Sequence, residues 1–186
     1  CLALTPHPSM DRHYLEQYDV TGTIVNVGYP RNDDLVGERA SELRRTTRER
    51  LGIAEHQRVV LYAPTWRDNQ AVDFRKAARA TYLQAEKVLA SDPNTVVLLR
   101  GHRFNDAGTS TERAIDVTDY PEINDLILAA DVAVLDYSSL RFDFAITGKP
   151  MIFLVPDLTD YTSNARGFLF PFTESAPGPL VESTEE

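Results

Sequence analysis

Short apolar runs alternate with stretches of helical spacing along most of the chain. Apolar runs rich in β-branched residues predict strands at residues 23–27, 58–63, 96–99, 115–117, 132–135 and 151–155. Those at 58–63 and 96–99 are predicted to be buried. Apolar residues three or four positions apart predict helices between them, at residues 35–51, 74–89, 121–129 and 139–147. This alternation predicts an α/β fold with a parallel sheet that is covered by helices on both faces.

Polar residues and glycines mark the predicted helix ends. The predicted N-caps, in chain order, are Asp33 or Asp34, then Asp119, then Ser138 or Ser139. Gly52 and Gly148 are the predicted stops, because glycine readily adopts the left-handed conformation that ends a helix.

Composition narrows the class of protein. The 186 residues carry a net charge of −9, which argues against a broad nucleic-acid surface but not against a local cationic pocket for one phosphorylated molecule. No apolar run approaches the roughly 20 residues that cross a bilayer, and no signal peptide opens the chain. The single cysteine, Cys1, excludes an internal disulfide and a cysteine zinc site. We therefore expect a cytoplasmic location.

Polar residues also concentrate where the predicted strands end, which is where parallel sheets with helical crossovers bind ligands. Arg67 follows the strand at 58–63 and has the planar fork that pairs with phosphate. His102 follows the strand at 96–99, beside Arg100, and its imidazole is suited to bind a phosphate oxygen or to shuttle a proton. The alternative is that these residues are ordinary side chains of surface loops with no ligand.

Two further clusters open predicted helices. Asp136, Ser138 and Ser139 stand where backbone amides and hydroxyls favour a phosphate group, although plain capping by serine fits the same pattern. Asp119 and Asn124 flank a tight turn that suits either a nucleoside or an ordinary helix start. The sequence has no Walker, G-x-G-x-x-G or G-x-S-x-G motif and no metal-ligand spacing. Phosphate binding would therefore depend on arginine, histidine and helix starts.

Together and in this order, the clusters resemble successive motifs of the CDP-glycerol glycerophosphotransferase family. The matching blocks cover nearly the whole chain, at residues 27–33, 61–68, 99–102, 117–126, 131–139, 142–143, 149–153 and 166–180. The resemblance implies a Rossmann-like domain that forms the C-terminal half of a GT-B fold, in which two such domains face each other across the active site.

The resemblance also implies a domain organisation. Residues 1–28 would be an N-terminal segment or linker from a missing acceptor domain, and residues 29–186 the CDP-donor-binding domain. The family's other important histidine belongs to a Trp-His-Gly motif that this sequence does not contain. We therefore expect a segment of a longer enzyme that turns over little by itself.

The roles that the resemblance implies centre on one pocket. His102 is the expected catalytic residue, and Ser138 and Ser139 would hold the donor pyrophosphate with it. The other expected binding residues are Arg67, Arg100, Asp119, Asn124, Asp136 and Arg166. The donor would be CDP-glycerol or CDP-ribitol, with no other cofactor and no metal.

The implied acceptor is a polyol-phosphate polymer of the teichoic acid type, and no nucleic acid is an expected partner. The enzyme would work at the inner face of the cell membrane and touch it only through missing parts. The choice of polyol, priming versus polymerisation, and the oligomeric state stay open.

Two other functions also stay open. A GT-B glycosyltransferase that uses a nucleotide sugar would share the pyrophosphate-binding helix and the Gly148-Lys149-Pro150 sequence that ends it. A non-catalytic nucleotide-binding module would keep the fold without the chemistry, but the intact set of His102, Ser138 and Ser139 argues against it.

Overall fold

A computed structural model describes residues 2–65, 83–101, 111–164 and 168–186. Strands and helices alternate through most of these ranges. The strands are β1 (Leu2–Thr5), β2 (Thr23–Asn26), β3 (Arg58–Ala63), β4 (Thr95–Leu99), β5 (Ala114–Asp116), β6 (Val132–Leu135), β7 (Met151–Leu154) and β8 (Leu180–Val181). The helices are α1 (Asp11–Gln17), α2 (Asp33–Val36), α3 (Ala40–Arg50), α4 (Ala85–Ser91), α5 (Ile123–Ala129), α6 (Leu140–Ala145), α7 (Leu158–Asn164) and α8 (Phe172–Ser175).

Six of the described strands form one parallel sheet in the order β5-β4-β3-β6-β7-β8. The chain moves outward from β3 to β5, returns to the middle, and then moves outward on the other side from β6 to β8. This is the Rossmann strand order, and its direction reverses between β3 and β6. The predicted parallel α/β fold is confirmed.

Helices cover both faces of the sheet, as predicted. In β3, Val59 and Leu61 belong to the core beneath α3, α5 and α6, whereas Val60 and Tyr62 belong to the core beneath α4. Successive residues of a strand point to opposite faces of the sheet. All four side chains are buried because helices cover both faces. Full burial of such side chains contributes roughly 1.5–3 kcal/mol each, which explains why β3 is a continuous apolar run.

The first two strands form a separate parallel pair. Leu2 lies opposite Thr23 and Thr5 opposite Asn26, with α1 connecting the strands. The Thr5 hydroxyl is buried and donates to the Asp11 carboxylate at 2.8 Å, and the Asn26 amide donates to the same carboxylate at 2.7 Å. The strand predicted at 23–27 is confirmed. The division of the chain after residue 28 stays a prediction.

The helix predicted at 35–51 is broken, which corrects the sequence analysis. Gly37 is extended, with φ −72° and ψ 168°, and separates α2 from α3. The proposed caps are also wrong, because Asp33 and Asp34 lie inside the first turn of α2 and Asn32 occupies the N-cap. The Asn32 side chain makes no cap hydrogen bond. It is directed instead to a distant carboxylate, described below.

The helix predicted at 121–129 begins two residues later, at Ile123, and its N-cap is Glu122 without a side-chain bond. The predicted cap, Asp119, is exposed. The chain stays in a turn before α5 because the Arg100 guanidinium binds two carbonyls of that turn, at Val117 and Tyr120. A distant side chain therefore sets this boundary.

Other predictions near helix ends are confirmed. Gly52 and Gly148 have φ of +71° and +67°, the left-handed region that glycine tolerates. The Ser138 hydroxyl accepts a bond from the Leu140 amide at 3.2 Å, so Ser138 caps α6 although Ser139 holds the N-cap position. The last turn, to Gly148, continues with shorter-range bonds after α6 ends.

The C-terminal strand β8 depends on a glycine for a different reason. A Cβ on Gly178 would lie 2.1 Å from the Met151 carbonyl oxygen, so only glycine allows this close approach of the two backbones. The Pro179 carbonyl then accepts the Phe153 amide at 2.9 Å and begins the pairing of β7 with β8.

The helix predicted at 74–89 falls mostly outside the described residues. Helix α4 begins at Ala85 and continues to Ser91, two residues beyond the predicted end.

Candidate functional site

The strand ends that flank the chain reversal lie side by side. Ala63, the last residue of β3, pairs with Leu135, the last residue of β6, and Tyr62 pairs with Leu99 at the end of β4. Ligands of Rossmann-like sheets bind in the crevice outside this reversal point. The segments that leave these three strands therefore form the candidate site.

Asp136 ties two of these segments together. Its buried carboxylate accepts the Thr65 backbone amide at 2.9 and 2.8 Å and the Thr65 hydroxyl at 2.6 Å. It also accepts the Ser138 amide at 3.2 Å. The residue is only 2% exposed, and these four contacts are all with the protein's own loops. Its predicted part in donor binding stays a prediction, and holding the loop is the role that its geometry supports.

Ser138 and Ser139 begin α6 at the edge of this crevice. Ser138 is half-buried and Ser139 is exposed. Helix α6 has only six residues, so its dipole is short and the hydroxyls and backbone amides of the turn are the main groups available to an anion. The two serines thus lie where the sequence analysis expects pyrophosphate.

Arg141 stabilises that turn through its side chain, and the sequence analysis did not predict this role. Its buried guanidinium donates to the Tyr137 carbonyl at 3.1 Å and the Ser138 carbonyl at 3.0 Å. It lies over the ring of Phe172, 5.2 Å from the centroid, and burial lowers its pKa. Arg141 Nε has no hydrogen-bond partner among the described residues. Because Arg141 binds the carbonyls, the backbone of the loop is held in one conformation.

An aromatic cluster supports the same loop. The ring of Tyr137 stacks on Tyr161 with centroids 4.0 Å apart and meets Phe172 edge to face at 5.4 Å. The Tyr137 hydroxyl donates to Asp157 at 2.8 Å. Such contacts add to the area that the rings bury and favour a single packing.

Arg100 and Gly101 lie at the end of β4. The Arg100 amide donates to the Tyr62 carbonyl at 2.9 Å, and the Gly101 amide donates to the Thr118 hydroxyl at 3.0 Å. The Arg100 guanidinium holds the turn before α5, as described above. The predicted contact of Arg100 with the donor stays a prediction, and the contacts in the structure shape the turn that carries Asp119.

A second ionic cluster joins the N-terminal part of the chain to α6. The buried Asp143 carboxylate accepts the Asn32 amide at 2.7 Å and one Arg31 nitrogen at 3.1 Å to each oxygen. The Asn124 amide donates to the Arg31 backbone carbonyl. Sequence reasoning placed Asn124 at the site but missed the other three residues. All three lie in the blocks at 27–33 and 142–143 that carry the family resemblance, which is the signal that pointed to them.

Three predicted site residues, Arg67, His102 and Arg166, lie outside the described residues. In the part of the chain that the structure describes, no group of three or more His, Cys, Asp or Glu side chains is arranged to hold a metal ion. Within the same part, no helix is long and apolar enough to cross a membrane.

The strand order defines a Rossmann-like α/β domain, and the hydrogen-bonded loops at the reversal of its sheet form the candidate ligand site. The chain belongs to the CDP-glycerol:poly(glycerophosphate) glycerophosphotransferase family, whose model matches residues 2–186. This confirms the resemblance that the motifs indicated.

Similar proteins and structures agree with this membership. A teichoic acid poly(glycerol phosphate) polymerase of Bacillus spizizenii is 35% identical over 98% of this chain and 48% of its own length. A teichoic acid ribitol-phosphate polymerase of Staphylococcus aureus is also 35% identical, over 86% of this chain and 32% of its own. A solved structure of a variant of the wall teichoic acid polymerase TagF, soaked with CDPG, superposes with a TM-score of 0.84 at 30% identity. The match covers 97% of this chain and 46% of that one.

The chain therefore spans about half, or less, of the length of these relatives.

Proposed function

We propose that this chain is the donor-binding part of an enzyme that transfers a polyol phosphate, in the first instance glycerol phosphate, from a CDP-activated donor to a teichoic-acid-like polymer, with release of CMP. The main support is the loop that contains Asp136, Ser138 and Ser139, which lies where the strand order reverses. Hydrogen bonds of Asp136 and Ser138 hold this loop in place. Membership of the family and the likeness to a polymerase that was soaked with CDPG support the same substrate class.

The chemistry is a phosphoryl transfer in which positioning and charge stabilisation matter most. An acceptor hydroxyl attacks the phosphorus that carries the polyol, and a new P–O bond forms to the polymer. The P–O bond to CMP breaks, and its electron pair leaves with CMP. The proton of the hydroxyl goes to a base outside this chain, since the family's Trp-His-Gly motif is absent from the sequence.

The residues of this chain act on the donor side. Ser138 and Ser139 bind oxygens of the pyrophosphate through hydroxyl and amide groups, and Asp136 holds them in place. His102 stabilises or protonates the departing phosphate, and Arg67 and Arg166 offset the developing negative charge. Asp119 and Asn124 line the nucleoside side of the pocket. The donor is a substrate, and no other cofactor or metal enters the reaction.

Binding calorimetry on the protein that carries this chain tests the substrate class. The ligands are CDP-glycerol, CDP-ribitol, UDP-glucose and CMP. We expect CDP-glycerol, CDP-ribitol and CMP to bind and UDP-glucose to bind much more weakly. The two polymerases that are 35% identical act on different polyols by name, so the ratio between CDP-glycerol and CDP-ribitol identifies the polyol. Preference for UDP-glucose would identify a glycosyltransferase instead.

A transfer assay with His102→Ala tests the mechanism. We expect transfer to be lost while the unfolding curve stays close to that of the unmodified protein. His56→Ala is the matched control, because His56 is exposed and lies in the turn at the amino end of β3, whereas the candidate site lies at the carboxyl ends of the strands. Near-normal transfer by the His102 variant would remove this histidine from the mechanism. The assay uses the full-length protein, since this chain alone is expected to turn over little. No transfer by that unmodified protein, with donor binding intact, would favour a non-catalytic module.

A further inference from the structure

Arg31 is a cation whose position is fixed by three separate contacts. One nitrogen of its guanidinium lies 3.1 Å from each oxygen of Asp143. Its guanidinium carbon lies 4.2 Å above the centroid of the Tyr29 ring. Its backbone carbonyl accepts the side-chain amide of Asn124, from the first turn of α5. An arginine that only provides surface charge does not need contacts from two helices in addition to its neighbour Tyr29.

Part of the guanidinium remains open to a ligand. The Arg31 side chain is 55% exposed, and its Nε and second terminal nitrogen donate to no other described residue. A half-exposed ion pair adds little to stability, because water screens it. The planar fork of arginine is suited to bind two oxygens of a phosphate at once. The exposed part of Arg31 is therefore better explained by a ligand than by a contribution to folding.

The position of Arg31 brings it beside the proposed donor site. Asp143, its partner, follows Ser139 by four residues along α6, and residues at that spacing lie on the same face of a helix about 5–6 Å apart. Asn124, which binds the Arg31 backbone, is itself a predicted donor residue. One predicted site residue, Asn124, thus contacts Arg31 directly, and a second, Ser139, lies about one helical turn from its partner Asp143.

Charge balance gives a reason for a cation at this position. Asp136 and Asp143 are both buried within five residues of the two serines. An anionic pyrophosphate beside these carboxylates requires nearby positive charge. The ion pair with Arg31 neutralises Asp143, and the open N–H groups of the guanidinium face outward, where they can serve the ligand.

We infer that Arg31 is a further ligand of the donor phosphates, oriented for that role by Asp143 and Asn124. The inference rests on the proposed function, and it adds a residue from the segment before α2 to a site otherwise built from strand ends. The competing explanations are that Arg31 only neutralises Asp143, and that it binds phosphates of the acceptor polymer.

The test compares four variants of the protein that carries this chain: Arg31→Met, Arg31→Lys, Asp143→Asn, and Arg31→Met combined with Asp143→Asn. Arg12→Met is the control, since Arg12 pairs with Glu16 on an exposed face of α1. The affinity for CDP-glycerol is measured by calorimetry without acceptor, and inorganic pyrophosphate is added as a competitor. Urea unfolding of each variant is measured in parallel.

We expect Arg31→Met to weaken CDP-glycerol binding by about tenfold or more, the usual effect of losing a charge-assisted hydrogen bond. Pyrophosphate should become a weaker competitor by a similar factor, and Arg31→Lys should recover part of the loss. Arg31→Met should also lose some stability, because the buried Asp143 carboxylate is left without its cation. The double variant should recover that stability, because it no longer has this carboxylate. Affinity should stay low. Arg12→Met should bind as the unmodified protein does.

Three results would overturn the inference. CDP-glycerol affinity of Arg31→Met within twofold of normal would remove Arg31 from the donor site. If a transfer assay of that variant then gave a raised KM for the polymer, Arg31 would be assigned to the acceptor. Recovery of affinity together with stability in the double variant would leave Arg31 a purely structural role. Failure of the unmodified protein to bind CDP-glycerol would overturn the proposed function as well, so the two failures are distinguishable.

Discussion

The carboxylate of Asp136 and the backbone amide of Thr65 are joined by hydrogen bonds of 2.8 and 2.9 Å across the point where the sheet reverses. The β3–β6 pairing ends at Ala63 and Leu135, so this contact extends the connection between the two strands into their loops. The loop that carries Ser138 and Ser139 is thereby held against the loop that leaves β3. Hydrogen bonds within the protein therefore fix the position of one loop relative to the other.

Replacement of Asp136 by Asn should cost both stability and donor affinity. Asparagine has one acceptor oxygen where aspartate has two, and its amide hydrogens would face the Thr65 donors. Leaving a buried donor unpaired costs about 1–3 kcal/mol, so we expect a loss of that size in the free energy of unfolding. Urea denaturation measures it, and calorimetry with CDP-glycerol measures the second effect. Asp34→Asn, at an exposed carboxylate, is the control. Equal stability of the two variants would contradict the role given to Asp136.

Two arginines on α3, three residues apart, should differ sharply in their effect on stability. Arg48 has a side chain that is 6% exposed and donates to Asp131 at 2.7 Å and to the Ala129 carbonyl at 2.9 Å. Arg45 pairs with Glu49 on the exposed side of the same helix. Arg48→Met should lower the free energy of unfolding by about 1–3 kcal/mol, because it leaves the Ala129 carbonyl without its buried donor and removes a cation from Asp131, which is 33% exposed. Arg45→Met should change it by less than about 0.5 kcal/mol.

Thermal or urea unfolding of both variants checks this contrast. Similar losses for Arg45→Met and Arg48→Met would mean that burial does not decide the value of these pairs. A small loss for both would show that Arg44, which also pairs with Asp131 at 2.5 Å, can neutralise it alone.

The sequence predicted the central strands well because their signal is local. Strands buried on both faces are continuous apolar runs, and Val132–Leu135 was predicted with the observed bounds. Helix ends were predicted less well where distant contacts decide them. The turn before α5 is held by Arg100, and the N-cap of α2 directs its side chain to Asp143, 111 residues away. No local pattern contains such information.

The candidate site shows the same division. The placement of Ser138 and Ser139 beyond a strand end followed from the alternation of elements and is what the structure shows. The brace by Arg141 and the pairing of Arg31 with Asp143 were not predicted. Arginines bound to carbonyls or to a distant carboxylate look, in sequence, like ordinary surface charges. Two-residue strands such as Leu180–Val181 are similarly too short to give a periodic signal.

The ammonium group of Lys149 reaches the C-terminal end of α5, where it is partly buried. Its Nζ donates to the carbonyls of Ile127 at 2.9 Å, Leu128 at 2.9 Å and Ala130 at 2.7 Å. Burial, reinforced by the nearby Arg44 guanidinium, lowers the pKa of Lys149 from 10.5 to about 8. The carbonyls favour the ammonium form, whereas burial disfavours it, and the lowered pKa means that burial dominates.

This shift predicts how stability depends on pH. Below about pH 8 Lys149 is protonated in both the folded and the unfolded chain, and the folded state bears the full cost of a buried charge. Between about 8 and 10.5 the unfolded chain binds more protons than the folded chain, so stability should rise with pH through that window. Lys149→Met has no such group. The difference in unfolding free energy between the unmodified protein and this variant should therefore increase from about pH 7 to about pH 10, because the contributions of all other groups cancel. Urea denaturation at several pH values measures it. A difference that stays flat or falls would show that the three carbonyls hold the charged form more strongly than burial opposes it.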